Sequence, residues 1–224
     1  MNTAKGILPG LYVITDQVLL PGHKLLTGVE SALAGGAVLV QYRDKTSTEV
    51  ERLRHAQDLA SLCQHYQVPL LINDDPILAK RVRAQGAHLG QQDGSLTAAR
   101  QLLGPDAIIG ATCHGELALA ERARQEGADY LAFGRFFNSS TKPGAPGAEP
   151  SVLTAARALS KPVTAIGGIT LDNGADLIRA GADLLAVVGD VFSHPDIRSR
   201  AKAYQHLFQQ HHAFYQSGAH HDAI

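Results

Sequence analysis

Two aspartates, Asp74 and Asp93, are spaced as a pair that could share a divalent cation. The apolar run Val68–Ile72 ends in Asn73-Asp74, a short helix-like segment follows, and a second apolar piece, Ala87–Leu89, ends in Gly90-Gln91-Gln92-Asp93. If the two runs are parallel neighbouring strands, both carboxylates finish at the same end. Mg²⁺ takes one or two protein carboxylates and fills its shell with water and substrate phosphate, and this pair, with Asn and Gln oxygens nearby, suits it. Asp75, followed by Pro76, reads as a helix N-cap with proline in the first turn, which leaves Asp74 without such a structural task.

Other stretches could bind anions. The run Ala37–Tyr42 passes into Arg43-Asp44-Lys45, and strand alternation puts Gln41, Arg43 and Lys45 on one face. Arg offers a planar fork and Lys a point charge, so the three suit a pyrophosphate; the same residues also fit a solvated basic loop. Residues 134–147 form the longest irregular stretch, with Ser139, Thr141 and Lys142 in a Gly/Pro-rich setting. A loop of that length is an anion-binding lid or a plain surface loop. Gly167-Gly168 follows the run Val163–Ile166, and Val188-Gly189 closes the run Leu184–Val188. Glycines there let backbone N–H groups approach a phosphate. Thr112 is either a donor to a substrate heteroatom or the cap of a helix beginning near Glu116. His88 and His114 have no Ser or Cys nucleophile arranged with them.

These residues share a pattern of position, because each follows a short apolar run. The runs are Leu11–Thr15, Ala37–Tyr42, Pro69–Asn73, Ala87–Leu89, Ala107–Ala111, Tyr130–Phe133, Val163–Ile166 and Leu184–Val188. Between them apolar residues fall at helical spacing, as in Glu49–Tyr66 with Val50, Leu53, Ala56, Leu59, Ala60 and Cys63. Strand–helix alternation implies a parallel sheet. Gly-Ala introduces the even runs at Gly36-Ala37, Gly86-Ala87, Gly127-Ala128 and Gly181-Ala182, where glycine suits a left-handed helix cap. Proline introduces the odd runs at Pro9, Pro69, Pro105 and Pro162. A two-unit alternation repeated about four times predicts a single-domain (β/α)₈ TIM barrel over 1–224, with the active site at the C-terminal strand ends. A doubly wound open sheet ranks below it, since no GxGxxG follows the first run.

Composition narrows the function. A net charge of −1 gives no electrostatic reason for nucleic acid or an acidic membrane. The longest apolar runs fall short of the ~18 residues a membrane span requires. Two cysteines without metal spacing, Cys63 and Cys113, read as reduced thiols, and the N-terminal stretch does not read as a signal peptide, so the expected location is cytoplasmic. A final helix is expected over Ala203, Tyr204, Leu207 and Phe208, then a frayed tail over 212–224 whose histidines read as terminal disorder rather than a metal site. Oligomeric state stays open, a homo-oligomer included.

The segments LYVITD, QYRDK, LIND, AHLGQQD, GATCH, SSTK and AIGGIT, in that order and at those strand ends, resemble thiamine-phosphate synthases from about Leu11 to Phe192. The resemblance implies that hydroxymethylpyrimidine diphosphate is joined to a thiazole phosphate, with or without a carboxyl group, giving thiamine phosphate and pyrophosphate. It implies that Gln41, Arg43 and Lys45 hold the pyrimidine diphosphate, that Asn73 lies on the pyrimidine and diphosphate side, and that Asp74 and Asp93 ligate Mg²⁺. It places Thr112, where Ser is common, near the pyrimidine amino group. Ser139 and Thr141 would contact the thiazole, Lys142 the diphosphate, and Gly168 with Gly167 the thiazole phosphate. Ser139 departs from the family's Thr but keeps the hydroxyl. Val188-Gly189 stands where Ile/Val-Ser is common and loses one. The implied chemistry is a dissociative displacement of pyrophosphate, with Arg43, Lys45, Lys142 and Thr112 as the chain's catalytic groups. Two alternatives remain. A thiazole tautomerase would make no use of the diphosphate half, and a non-catalytic barrel would only bind the phosphorylated thiazole or thiamine.

Overall fold

Eight short strands pair in sequence order, each parallel to the next, and the eighth closes on the first. They are β1 Gly10–Ile14, β2 Leu39–Tyr42, β3 Leu70–Asn73, β4 Gly86–Leu89, β5 Ile108–His114, β6 Tyr130–Phe133, β7 Val163–Ile166 and β8 Leu184–Val187. The helices are α1 Lys24–Ala34, α2 Glu49–His65, α3 Pro76–Val82, α4 Leu96–Leu103, α5 Leu117–Gln125, α6 Ser151–Ala156, α7 Leu171–Ala180, α8 Gly189–Phe192, α9 Ile197–His211 and α10 Ala213–Gln216. This computed structural model describes residues 4–137 and 147–216. The chain is thus one (β/α)₈ barrel. Among the described residues, no helix is long and apolar enough to cross a membrane.

Strand alternation sorts the core into two layers. Tyr12, Ile14, Leu39, Leu71, Ile108, Tyr130, Ala132, Leu184 and Ala186 pack together. Their alternate neighbours, such as Leu11, Val13, Val40, Leu70, Ile72, Leu131 and Leu185, pack with the helices. The first set therefore fills the barrel and the second lies beneath the helical ring. Each fully buried Leu or Ile contributes about 1.5–3 kcal/mol, so both layers hold the strands in one register.

The even–odd repeat has a physical counterpart. Gly36, Gly127 and Gly181 have positive φ, as left-handed caps require. Gly86 does not: Arg83 takes the left-handed cap of α3, and Gly86 lies inside β4. A Cβ on Gly86 would stand 1.7 Å from the Ile108 carbonyl oxygen, so close strand approach explains this glycine. The residue at or just before three even strands caps the preceding odd one. Gln85 accepts from Leu70 N–H, Asp129 from Ile109 N–H and Asp183 from Val163 N–H, each at 2.8 Å.

Two expectations are corrected. Val50 is 78% exposed, so α2 buries Ala56, Leu59 and Cys63 instead of the whole apolar set. Strand β5 runs on to His114, with a register shift between Thr112 and His114. Within residues 212–216, His212 Nε2 meets Asp183 at 3.2 Å and Tyr215 donates to the Pro9 carbonyl at 2.6 Å. Residues 217–224 lie outside the described residues.

Candidate active site

Strands β3 and β4 set the carboxylate pair. Asn73 of β3 pairs with His88 of β4, and Asp74 N–H donates to the His88 carbonyl at 2.9 Å, so the chain turns at Asp74 while still tied to β4. Asp74 has φ 61°, a left-handed conformation that a non-glycine residue adopts seldom. Asp75 then caps α3 through Leu78 N–H at 2.8 Å, with Pro76 opening the helix, as the sequence predicts. Past β4, the Asp93 carboxylate folds back to accept Gly90 N–H at 2.9 Å. A Cβ on Gly90 would stand 2.6 Å from that oxygen, so Gly90 makes room for the carboxylate.

The two carboxyls meet. Each lies close enough to shift the titration of the other. Partial burial and the neighbouring Asp74 carboxylate push Asp93 above the usual carboxylate range. Burial also opposes charge on Asp74, but hydrogen bonds from Asp93, Lys45 and Asn73 outweigh it and hold Asp74 below that range. Lys45 Nζ is 3.2 Å from Asp74 Oδ2. One lysine beside two crowded carboxyls leaves negative charge that a divalent cation would neutralise, so the donor set fits Mg²⁺. Among the described residues there is no cluster of three or more His, Cys, Asp or Glu side chains for a metal, which leaves further positions to water and substrate oxygens.

Strand β2 delivers the next group. Gln41 is buried, and its amide donates to the Tyr12 hydroxyl. Thr15 at the end of β1 clamps Arg43, accepting from its N–H at 2.9 Å and donating to its carbonyl at 3.2 Å. Arg43 is half-buried and lines a cavity of about 220 Å³ with Thr15, Gln17, Tyr42, Asp44 and His55. In that cavity Tyr42 and Asp44 face His55 of α2, whose Nδ1 lies 3.3 Å and 3.9 Å from them.

Strand β5 carries Thr112 away from any helix start. Its hydroxyl is 2.9 Å from His88 Nε2, and α5 starts from Glu116, so Thr112 is no helix cap. Gln91 donates to the Thr112 carbonyl and ties the Asp93 turn to this strand.

The last two loops form the opposite wall. Gly167 and Gly168 have φ 106° and 65°. A Cβ on Gly167 would fall 2.4 Å from the Arg135 Cβ, while Phe137 N–H donates to the Gly167 carbonyl at 3.0 Å. The segment after β6 is therefore zipped against the end of β7. The Asn173 amide holds the Gly168 carbonyl at 3.1 Å, and Thr170 and Asn173 form a capping box for α7. Val188 precedes α8, which begins at Gly189. Asp190 anchors that turn to α9 through Arg200 at 2.6 Å and 3.0 Å and Tyr204 at 2.6 Å. A Cβ on Gly189 would meet only Ser193 Oγ, at 4.0 Å, so space for the family's usual serine is present. Ser139, Thr141 and Lys142 lie outside the described residues.

Sequence reasoning missed Thr15, Tyr12, Tyr130, Gly90 and Asp190. The tyrosines looked like ordinary core residues, and the Gly90 and Asp190 contacts join residues that only the folded turns bring together. Cys63 and Cys113 are free and buried, and burial pushes both thiols up to about 12.

The family model described as thiamine monophosphate synthase matches residues 11–191. A thiamine-phosphate synthase of Marinobacter nauticus is 62% identical over 218 residues, which cover 96% of this chain and 98% of the relative. The thiamine phosphate pyrophosphorylase structure from Pyrococcus furiosus superposes with a TM-score of 0.81 at 31% identity, covering 92% of this chain and 98% of the other. A thiamine phosphate pyrophosphorylase from Bacteroides thetaiotaomicron shares the fold, with a TM-score of 0.66 at 16% identity, over 91% of this chain and 99% of the other.

Proposed function

The chain belongs to the thiamine monophosphate synthase family and is a transferase, and we propose that it joins hydroxymethylpyrimidine diphosphate to a thiazole phosphate with Mg²⁺ at Asp74 and Asp93. The observation that carries this reading is the crowded carboxylate pair beside Lys45, at the end of β3 and β4. A pair held this way is destabilised when both groups ionise, and a divalent cation held by Asp74 and Asp93 would relieve it. Bound Mg²⁺ would supply charge neutralisation to the diphosphate oxygens.

In the proposed reaction the bond between the pyrimidinylmethyl carbon and the diphosphate oxygen breaks, and its electron pair leaves on pyrophosphate. The thiazole nitrogen lone pair forms the new carbon–nitrogen bond. No proton needs to be removed from the nucleophile, which agrees with the lack of a Ser–His or Cys–His arrangement among the described residues. The chain's tasks are then to position two substrates and stabilise the departing charge. Arg43, Lys45 and Lys142 serve the second task. Gln41, Asn73 and Thr112 serve the first on the pyrimidine side. Ser139 and Thr141, with the loops at Gly167-Gly168 and Val188-Gly189, serve it on the thiazole phosphate side.

The test is product formation by the purified chain. Both substrates are mixed with and without Mg²⁺, and pyrophosphate and thiamine phosphate are measured in parallel. Mg-dependent formation of both in equal amounts is expected. Isomerisation of the thiazole alone would replace this reading with the tautomerase, and binding without chemistry would replace it with the non-catalytic binding barrel.

A further inference from the structure

Five polar side chains cross the barrel interior in one hydrogen-bonded chain. Gln41 of β2 bonds to Tyr12 of β1, and the Tyr12 hydroxyl is 2.9 Å from that of Tyr130 of β6. The Tyr130 hydroxyl is 2.7 Å from His88 Nδ1, and His88 Nε2 is 2.9 Å from the Thr112 hydroxyl. Gln41, Tyr12, Tyr130 and His88 are 2%, 1%, 0% and 8% exposed, so the links between them are closed to bulk water. The stacking of His88 on Tyr130, with ring centroids 5.6 Å apart, fixes the middle of the chain. Gly110 makes its space: a Cβ there would come within 2.1 Å of the Tyr130 ring.

Such a chain has a direction. A hydroxyl donates once, and a neutral imidazole donates from one nitrogen and accepts at the other. With the Gln41 amide N–H on Tyr12, each following group donates onward, and His88 carries its proton on Nε2. The Thr112 hydroxyl hydrogen is then left over for a ligand, and Gln41 offers it a carbonyl. If Gln41 instead turns its carbonyl to Tyr12, every bond reverses. Gln41 then offers N–H, and Thr112 offers a lone pair. Burial holds both phenols un-ionised far above ordinary pH, so the chain transmits direction and not charge.

We propose that Tyr12, Tyr130 and His88 are positioning residues that couple Gln41 to Thr112, so that the pair always presents one acceptor and one donor. That suits the edge of a heteroaromatic ring whose amino group adjoins a ring nitrogen. The identity of the ring rests on the synthase reading; the coupling belongs to the unliganded chain. Neither end touches the other, so the relay is the path by which a change at one is felt at the other.

The experiment is nitrogen NMR of the full unliganded chain with ¹⁵N-labelled histidine, using His88→Gln to assign the signal. The wild type is expected to carry the His88 proton on Nε2. Thr112→Val removes that proton's acceptor, and the proton is expected to move to Nδ1. Adding Tyr130→Phe cuts the chain, and the shift to Nδ1 is expected to disappear. A His88 proton that stays on the same nitrogen in Thr112→Val, or a charged imidazole in the wild type, overturns the coupling. In turnover, Tyr130→Phe is expected to raise KM for the pyrimidine diphosphate about tenfold, with kcat and KM for the thiazole phosphate near wild type. An equal rise in both KM values would also overturn it. Absence of thiamine phosphate synthesis by the wild type would remove the functional reading, while the NMR result would still decide the coupling.

Discussion

The two ends of the barrel treat their carboxylates in opposite ways. At the N-terminal end, Asp129 is buried and fully matched: Arg100 and Lys5 pair with it, and Ile109 N–H donates to it at 2.8 Å. Both cations also hold backbone carbonyls, Lys5 those of Pro105 and Ala107 at 2.6 Å. At the C-terminal end, Asp74 and Asp93 crowd each other beside one lysine, and Asp74 sits in a left-handed conformation. The first arrangement spends its charge on holding strands together. The second keeps charge unbalanced, and local strain of this kind collects at functional sites because the surrounding fold supports it. In the proposed reading, stability and chemistry are placed at opposite ends of the same eight strands.

Substitutions at each end should separate these roles. The largest effect is expected for Asp93→Ala: a loss of about a thousandfold in kcat at saturating substrates and Mg²⁺, measured by pyrophosphate release. Near-normal turnover would remove Asp93 from the reaction. Next, Asp129→Ala should destabilise the fold by about 3–5 kcal/mol in urea unfolding, because Arg100 and Lys5 lose their buried partner. Its kinetic constants below the melting range should match wild type. Gly86→Ala, which drives a Cβ into the Ile108 carbonyl, should cost about 3 kcal/mol by the same unfolding measurement.

Acid should act on the C-terminal end first. Asp93 is shifted upward by burial and by Asp74, so it holds its proton to higher pH than an ordinary carboxylate. Metal binding must displace that proton, so Mg²⁺ affinity should weaken as pH falls toward that raised value, with titrations at several pH values as the check. The linked stability has the opposite sense. A raised folded-state value stabilises the fold below it, and that contribution is lost as pH rises through it. Asp93→Asn should thus melt higher than wild type at neutral pH. The smallest effect is expected at the phosphate loop: Gly189→Ser, which has room for its hydroxyl, should lower KM for the thiazole phosphate a few-fold and leave Tm unchanged.

The same contrast explains what could be read from the sequence. All eight strands were legible, because β-branched and apolar runs introduced by Gly-Ala or proline mark them without knowledge of their partners. The positions of Asp74 and Asp93 near the ends of adjacent strands were legible as well, since Asp74 directly follows one run and Asp93 lies four residues past Leu89. The relay was not. Tyr12 and Tyr130 lie 118 positions apart and look like core aromatics until barrel closure sets their hydroxyls face to face. Thr112 stood between two readings because β5 continues past its apolar segment, and the start of α5 from Glu116 removes the helix-cap reading. Gly86 obeyed the Gly-Ala repeat for a different reason from its counterparts: the neighbouring strand's carbonyl excludes a side chain there.

The most direct measurement counts a spectroscopic stand-in for Mg²⁺ at the carboxylate pair. Mn²⁺ is titrated into the full chain with pyrophosphate present, and bound ion is read by electron paramagnetic resonance in the wild type and in Asp93→Asn. One Mn²⁺ per wild-type chain, lost in Asp93→Asn and competed away by Mg²⁺, is the predicted result. Equal binding to both proteins would contradict the assignment of the cation to Asp74 and Asp93.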